Sequence, residues 1–337
     1  MSSHIAVLIT GASGFVGRAL CSELVARGHI VHAIVRTLES VLVRAGSMGE
    51  AGNIHWVAIG DLHSGTNWYE TLQAFMQDHP DWPHVIIHCA ARAHMMNENE
   101  VKAASAYHAM NVGVTRRLAE QAATHGIRRL VFLSSIKVNG ERTLPGTPFD
   151  HQSPAKPEDP YGLSKWEAEQ ALWQIATATG MAVVVVRLPL VYGPGVKGNP
   201  LRLMGLLSKK ALLPVGSIDN RRSMVGLDNL IDLLICCLQH EAASGQTFLV
   251  SDGQDLSTPD LLRMLAKGMN QRPKLLPVPV WLLRLLARLT GKTAEIDRLT
   301  DSLQINSSHA RRVLGWTLPV TVEAGIKKMV DWYLNRP

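Results

Sequence analysis

Along the first 250 residues, short apolar runs alternate with longer stretches of helical period. The run IAVLI at 5–9 has no polar position and is rich in β-branched residues, so it reads as a strand buried on both faces. Comparable runs at 30–35, 54–59, 84–89, 129–134, 182–187 and 247–250 predict further strands. Between them, apolar residues recur at three- and four-residue spacing over 15–27, 67–77, 101–125, 160–179, 200–209 and 228–240, which predicts helices. In the first of these, Val16, Ala19, Leu20, Leu24 and Val25 fall at helical spacing and Gly28 closes the pattern. Such alternation predicts an α/β protein with a doubly wound parallel sheet and helices on both faces. After about residue 188 Pro and Gly become frequent (PLVYGPGVKGNP) and helical patterns dominate. The expected division is 1–187 and 188–337, with a segment near 223–250 returning to the first unit. The second unit would be smaller, mostly helical, and set over the sheet's carboxyl edge, where open α/β sheets bind ligands. The most apolar helix pattern, VPVWLLRLLARLTG at 278–291, is expected to lie half-buried in that unit rather than against a membrane surface.

Composition narrows the function classes. Of 337 residues 46% are hydrophobic and 18% charged, which suits a real core. The net charge of +6 comes from scattered Lys and Arg, with short pairs such as Arg128–Arg129 and Arg221–Arg222. No basic run interleaved with aromatics occurs, so nucleic-acid binding is unsupported, whereas an anionic small ligand is compatible. Cys21, Cys89, Cys236 and Cys237 lie in apolar segments without metal spacing and read as buried thiols of a cytoplasmic protein. No signal peptide and no membrane span are expected. His84 and His88 share a strand face, with His79 and His94 nearby, but no carboxylate falls at usable spacing and no metal site is expected.

Three motifs carry candidate chemistry. In TGASGFVG, 10–17, Gly11, Gly14 and Gly17 join the first strand to the first helix. The first would allow a tight turn, the second a close ligand approach, and the third close helix–strand packing. A phosphate seat at the helix N-terminus and an ordinary glycine-rich turn both fit this spacing. In YGLSK, Asp159 and Pro160 signal a helix start, which stacks Tyr161 and Lys165 one turn apart. A phenol with a reference pKa near 10 is a poor base at neutral pH, and a neighbouring ammonium would lower it. In FLSSIKVNG, 132–140, Ser134 and Ser135 fall at the carboxyl end of a central strand.

Taken together, these motifs resemble the extended short-chain dehydrogenase/reductase family, the NAD-dependent epimerases and dehydratases with a Rossmann-type sheet. Gly60-Asp61-Leu62, HCAA at 88–91, Asn111, LVYGPG at 190–195, NRRSMVGLDNL at 220–230 and LGW at 314–316 extend the resemblance over nearly the whole chain. It implies that Tyr161 is the general acid/base at a sugar oxygen, and that Ser135 bonds the same oxygen. Lys165 would bind the nicotinamide ribose and lower the Tyr161 pKa. It implies cofactor contacts from Gly11, Gly14, Phe15, Val16, Gly17, Asp61, Leu62, Cys89, Ala90, Ala91 and Asn111. A nucleotide sugar would be held by Asn199, Leu201, Arg222, Arg298 and Asp301, and relatives pair through helices near 101–125 and 160–179 as homodimers.

NAD-specific relatives end the second strand with an acidic residue, where this chain has Arg36. Arginine accepts no hydroxyl bond but pairs with a 2′-phosphate, so the cofactor is NADP or NAD with a lean to NADP. Dehydratases of the family carry Asp-Glu after the strand-exit Ser or Thr. Ile136 and Lys137 stand there instead, which argues against dehydration. The expected activity is 4-keto reduction of a UDP-linked, N-acetylated 6-deoxy hexose for surface polysaccharide. UDP-hexose 4-epimerisation is the alternative, and a non-catalytic dinucleotide sensor is a more distant one.

Overall fold

A computed structural model describes residues 4–39, 52–92, 100–144, 146–291 and 293–336. His94 lies outside them. The strands are β1 (Ala6–Thr10), β2 (Ile30–Val35), β3 (Ile54–Ala58), β4 (His84–His88), β5 (Arg129–Ser135), β6 (Ala182–Leu188), β7 (Leu190–Tyr192), β8 (Leu212–Leu213), β9 (Met224–Gly226), β10 (Thr247–Leu249) and β11 (Lys274–Leu275). The first helices are α1 (Phe15–Ala26), α2 (Tyr69–Gln77), α3 (Glu100–Tyr107), α4 (Val114–Thr124), α5 (Pro160–Thr179), α6 (Asn199–Ser208) and α7 (Leu227–Gln239). They are followed by α8 (Thr258–Gly268), α9 (Val280–Thr290), α10 (Thr293–Thr300), α11 (Ser308–Leu314) and α12 (Val322–Leu334).

Seven strands form one parallel sheet in the order β10-β6-β5-β4-β1-β2-β3. The chain winds outward from β1 to β2 and β3, then crosses back to β4 and continues the other way. The order therefore reverses beside β1 and β4, and a crevice opens at their carboxyl ends. Both faces of β1 are covered. Val7 and Ile9 meet Leu20 and Leu24 of α1 in the cluster that also holds Leu230, Leu233 and Leu234 of α7. Ala6 and Leu8 belong to the cluster with Leu72 and Phe75 of α2, Leu118 of α4 and Leu172 of α5. That double cover is why these strands show no polar alternation.

A third cluster, with Met204 and Leu207 of α6, Leu262 and Leu265 of α8, and Met329 and Val330 of α12, lies in the C-terminal part. Strand β10 nevertheless returns to the main sheet beside β6, and α7 packs on α1. Two departures from the sequence expectations matter. The predicted 101–125 helix is broken by a π-helical turn at His108–Gly113. Helix α9 buries only Leu283 and Ala287, and most of its large side chains are exposed.

Candidate active site

The turn after β1 is shaped by what its glycines exclude. Gly11 has φ +67°, and a Cβ there would lie 2.9 Å from the Ala90 nitrogen. A Cβ on Gly17 would collide with the Gly11 carbonyl. Gly14 sits at the N-cap of α1, where no side chain caps the helix and no acidic residue occupies the first turn. The first N–H groups of Phe15, Val16 and Gly17 are thus left to a ligand or solvent, beside the β4 exit carrying Cys89, Ala90 and Ala91. Thr10 and His88 lock the two strand ends together. The Thr10 hydroxyl bonds His88 Nδ1 at 2.6 Å and accepts from the Ala90 N–H, while His88 Nε2 meets Thr115. Burial drives the His88 pKa down to about 3, so this ring is a neutral structural strut. Burial also pushes the Cys89 thiol up to about 12, which leaves it inert.

Ser135 ends β5 and caps the short 3₁₀ turn Ile136–Val138, accepting from the Lys137 N–H at 3.3 Å. Asp159 caps α5 as the sequence predicts, its Oδ1 accepting from the Gly162 N–H at 2.6 Å. A Cβ on Gly162 would lie 2.7 Å from the Lys137 carbonyl, so only glycine lets the Ser135 loop press on the first turn of α5. Lys137 Nζ fastens that contact, meeting Asp159 at 2.5 Å and Glu141 at 2.6 Å. Tyr161 emerges from this turn with its hydroxyl near the Ser135 side chain and its ring edge-on to Tyr107.

Lys165, one turn on, is 2% exposed. Its ammonium donates to the Leu133 carbonyl at 2.8 Å and sits over the Phe132 ring. Burial pulls its pKa down to about 8, opposed by Glu169. The phenol differs from the sequence expectation. Burial raises Tyr161 to about 12, the Ser135 hydroxyl only partly opposing it, and the Lys165 ammonium donates to the Leu133 carbonyl. In this arrangement the Tyr161 phenol stays protonated at neutral pH.

Asn111, on the π turn, is buried and fully engaged: it accepts from the Arg92 N–H and donates to the Arg92 carbonyl and to Ser164. It braces the β4 exit against α5, so its side-chain amide is already committed. At the other edge Arg36 Nε pairs with Asp61 at 2.7 Å, both mostly exposed, while Leu62 packs against the core. In the C-terminal part, the Arg222 guanidinium donates to the carbonyls of Arg298 and Asp301. Burial lowers its pKa, against attraction from Asp301 and Glu141, so it lies within electrostatic reach of the Ser135 loop. Among the described residues no carboxylate forms an ion pair with it. The Asp301 carboxylate instead holds Arg284 at 2.7 Å, and Asn199 is exposed at the start of α6 with Leu201 against the core.

Sequence spacing missed two groupings. Asp78 gathers His32 at 2.7 Å, His55 at 3.8 Å and His79 at 3.4 Å. The shortest of these is a hydrogen bond, and the ligating atoms of His32, His55 and Asp78 lie within 4.8 Å of one another, so a carboxylate does join histidines here. Glu169, fully buried, takes Arg187 through two bonds and Ser134 through a third, and Arg187 also reaches Asn139. Strand pairing sets His32 beside His55 and Ser134 beside Arg187, and the end of α2 and the helix α5 bring Asp78 and Glu169 to them.

A glycine turn at the sheet's reversal point, facing a Ser–Tyr pair backed by a buried lysine, defines a dinucleotide-type oxidoreductase fold. The chain belongs to the NAD dependent epimerase/dehydratase family, whose model matches residues 7–251, and it is an enzyme of that family. It is 41% identical to a UDP-glucose 4-epimerase of Vibrio cholerae over 331 residues, 98% of this chain and 95% of that one. It is 24% identical to an N-acetyl-alpha-D-glucosaminyl-diphospho-ditrans,octacis-undecaprenol 4-epimerase of Escherichia coli O157:H7, over 97% of this chain and 94% of that one. The fold matches a UDP-glucuronic acid 4-epimerase of Bacillus cereus, solved with UDP-glucuronic acid and NAD, with a TM-score of 0.75 at 19% identity over 98% and 99% of the chains.

Proposed function

We propose that the protein transfers hydride at C4 of a UDP-linked hexose, in the direction of 4-keto reduction of an N-acetylated 6-deoxy sugar. The observation that carries this reading is the Tyr161–Ser135 contact, with the phenol held protonated beside a buried lysine. A nicotinamide dinucleotide bound in the crevice would supply the hydride. Gly11, Gly14, Phe15, Val16 and Gly17 would hold its pyrophosphate, and Cys89, Ala90, Ala91, Asp61 and Leu62 are the further residues that would contact it. The uncapped end of α1 and the space kept free at Gly11 fit that group. Ser135 and Tyr161 hold the carbonyl oxygen, and Tyr161 delivers the proton as the alkoxide forms. Lys137, locked between Asp159 and Glu141, offers no elimination acid or base, which disfavours dehydration.

Arg36 supports NADPH over NADH: its side chain is 73% exposed beside Asp61 and open to a 2′-phosphate. Arg222, a guanidinium with donors to spare, would grip the diphosphate, with Asn199, Leu201, Arg298 and Asp301 around it, from a substrate unit spanning 188–337. Replacing Arg222 with Ala is expected to raise the nucleotide-sugar KM roughly tenfold or more with little change in kcat. An unchanged KM removes it from the site. The surface groove between α4 and α5, lined by Arg116, Ala123, Ala171 and Ile175, is the face we assign to homodimer pairing.

The second reading, 4-epimerisation, is favoured by the 41% identical relative. One experiment separates the two. The enzyme is mixed with UDP-4-keto-6-deoxy sugars and NADPH or NADH, and with UDP-glucose and UDP-N-acetylglucosamine. Stoichiometric loss of absorbance at 340 nm, faster with NADPH, supports reduction. Interconversion of C4 epimers with no net change at 340 nm establishes the epimerase and ends the reductase reading.

A further inference from the structure

Helix α9 presents an apolar face that the fold does not use. Leu283 and Ala287 anchor it to the C-terminal part. On the opposite side Trp281, Leu285 and Leu289 follow at four-residue spacing and are 68%, 46% and 76% exposed, with Leu286 beside them. The approach to the helix continues the patch. Strand β8 pairs with β11, and Leu212 and Leu276 on these segments are also exposed. Six of the twelve large exposed apolar side chains among the described residues therefore fall on 212 and 276–289. Scattered surface leucines need no explanation, but a concentration of this kind on one short helix does.

The charges carried by the patch's own segments have one sign. Residues 209–212 and 272–291 contain Lys209, Lys210, Arg272, Lys274, Arg284 and Arg288 and not one Asp or Glu. Lys209, Lys210, Arg272, Lys274 and Arg288 are exposed. The register sets Lys274 beside Leu212, and Arg284 and Arg288 lie on the flank of the Trp281 stripe. Arg284 is partly neutralised by Asp297 of the next helix and by Asp301 just after it. At eleven residues α9 rises only ~17 Å, too short to cross a bilayer. No helix among the described residues is long and apolar enough to do so.

We infer that α9 and the β8–β11 ribbon dock the enzyme on an anionic phospholipid surface, Trp281, Leu285, Leu286 and Leu289 entering the headgroup boundary while the Lys and Arg rim meets lipid phosphates. An indole with its polar edge at the headgroups and leucines below it is the arrangement of an interfacial helix. Each cation near such a surface adds to the attraction, and salt screens it. A protein partner would need acidic residues to match this rim. A second copy of this chain would set six cations against six.

The test is sedimentation of the full-length protein with vesicles of phosphatidylglycerol or of phosphatidylcholine. Partitioning onto phosphatidylglycerol is expected to be roughly tenfold or more the stronger, and to fall as salt is raised. Brominated acyl chains should quench the protein's fluorescence, and should quench the Trp281→Phe variant less. The combined Trp281→Ser, Leu285→Ser, Leu289→Ser variant should lose vesicle binding while its melting temperature and its turnover of a water-soluble sugar nucleotide stay at wild-type values. A Lys274→Glu, Arg288→Glu variant should lose the preference for anionic lipid. Absence of binding to either vesicle overturns the proposal, as does equal binding by the serine variant. So does a wild-type dimer that the serine variant breaks, which would make the patch a contact between copies.

Discussion

Tyr161→Phe is expected to lower kcat by roughly 10²–10⁴, the range a positioned proton donor contributes, or about 3–5 kcal/mol of barrier. The substitution keeps the ring against Tyr107 and removes only the hydroxyl that meets Ser135. Dinucleotide affinity should change little, because the turn at Gly11–Gly17 and the end of α1 are untouched. The measurement is steady-state turnover alongside a dinucleotide titration. Activity within threefold of wild type would move the chemistry away from this helix. The pH dependence has a defined sign. Burial holds the phenol protonated well past neutral pH, so reduction is fully supplied with protons there and fails only as pH climbs toward the phenol's value. Running the reaction as an oxidation requires the phenolate at neutral pH. That demands cationic help beyond what Lys165 gives while its ammonium is turned to Leu133.

The fold was legible because each central strand is buried on both faces. Runs such as IAVLI and VVVV leave a local signal that needs no partner to read. Asp159 and Pro160 marked the start of α5 for the same reason, since capping depends on neighbours in sequence. The two- and three-residue strands β7, β8, β9 and β11 carried no period and escaped notice. So did the π turn, which keeps helical composition while shifting the backbone by one residue. At the site, the Ser135–Tyr161 meeting was reachable from motifs, but the direction of the Lys165 ammonium was not. That direction is set by the Leu133 carbonyl and by Glu169. The Glu169–Arg187 pair was invisible because its two halves come from a helix and a strand 18 residues apart that only the folded sheet brings together.

That pair supplies the second large expected effect. Arg187→Met leaves the Glu169 carboxylate fully buried against Ser134 with its cation gone, and should destabilise the protein by about 3–5 kcal/mol. Chemical denaturation measures the loss, and a loss below about 1 kcal/mol would mean water reaches the carboxylate after all. Glu169→Gln separates stability from chemistry, because Glu169 is also the group that holds up the Lys165 pKa against burial. Without its charge, Lys165 should deprotonate below its present value of about 8, and any step that needs the ammonium should lose its upper pH limb at correspondingly lower pH. The linkage runs the same way. Lys165 titrates near 8 in the folded protein and near 10.4 in an unfolded chain, so between these values the unfolded state binds more protons. Its contribution therefore makes stability rise with pH across that window. In Glu169→Gln the window should open at lower pH. A pH–stability slope identical to wild type between 7 and 10 would show that Glu169 and Lys165 are not electrostatically joined, and would leave the carboxylate as a tie between α5, β5 and β6 alone.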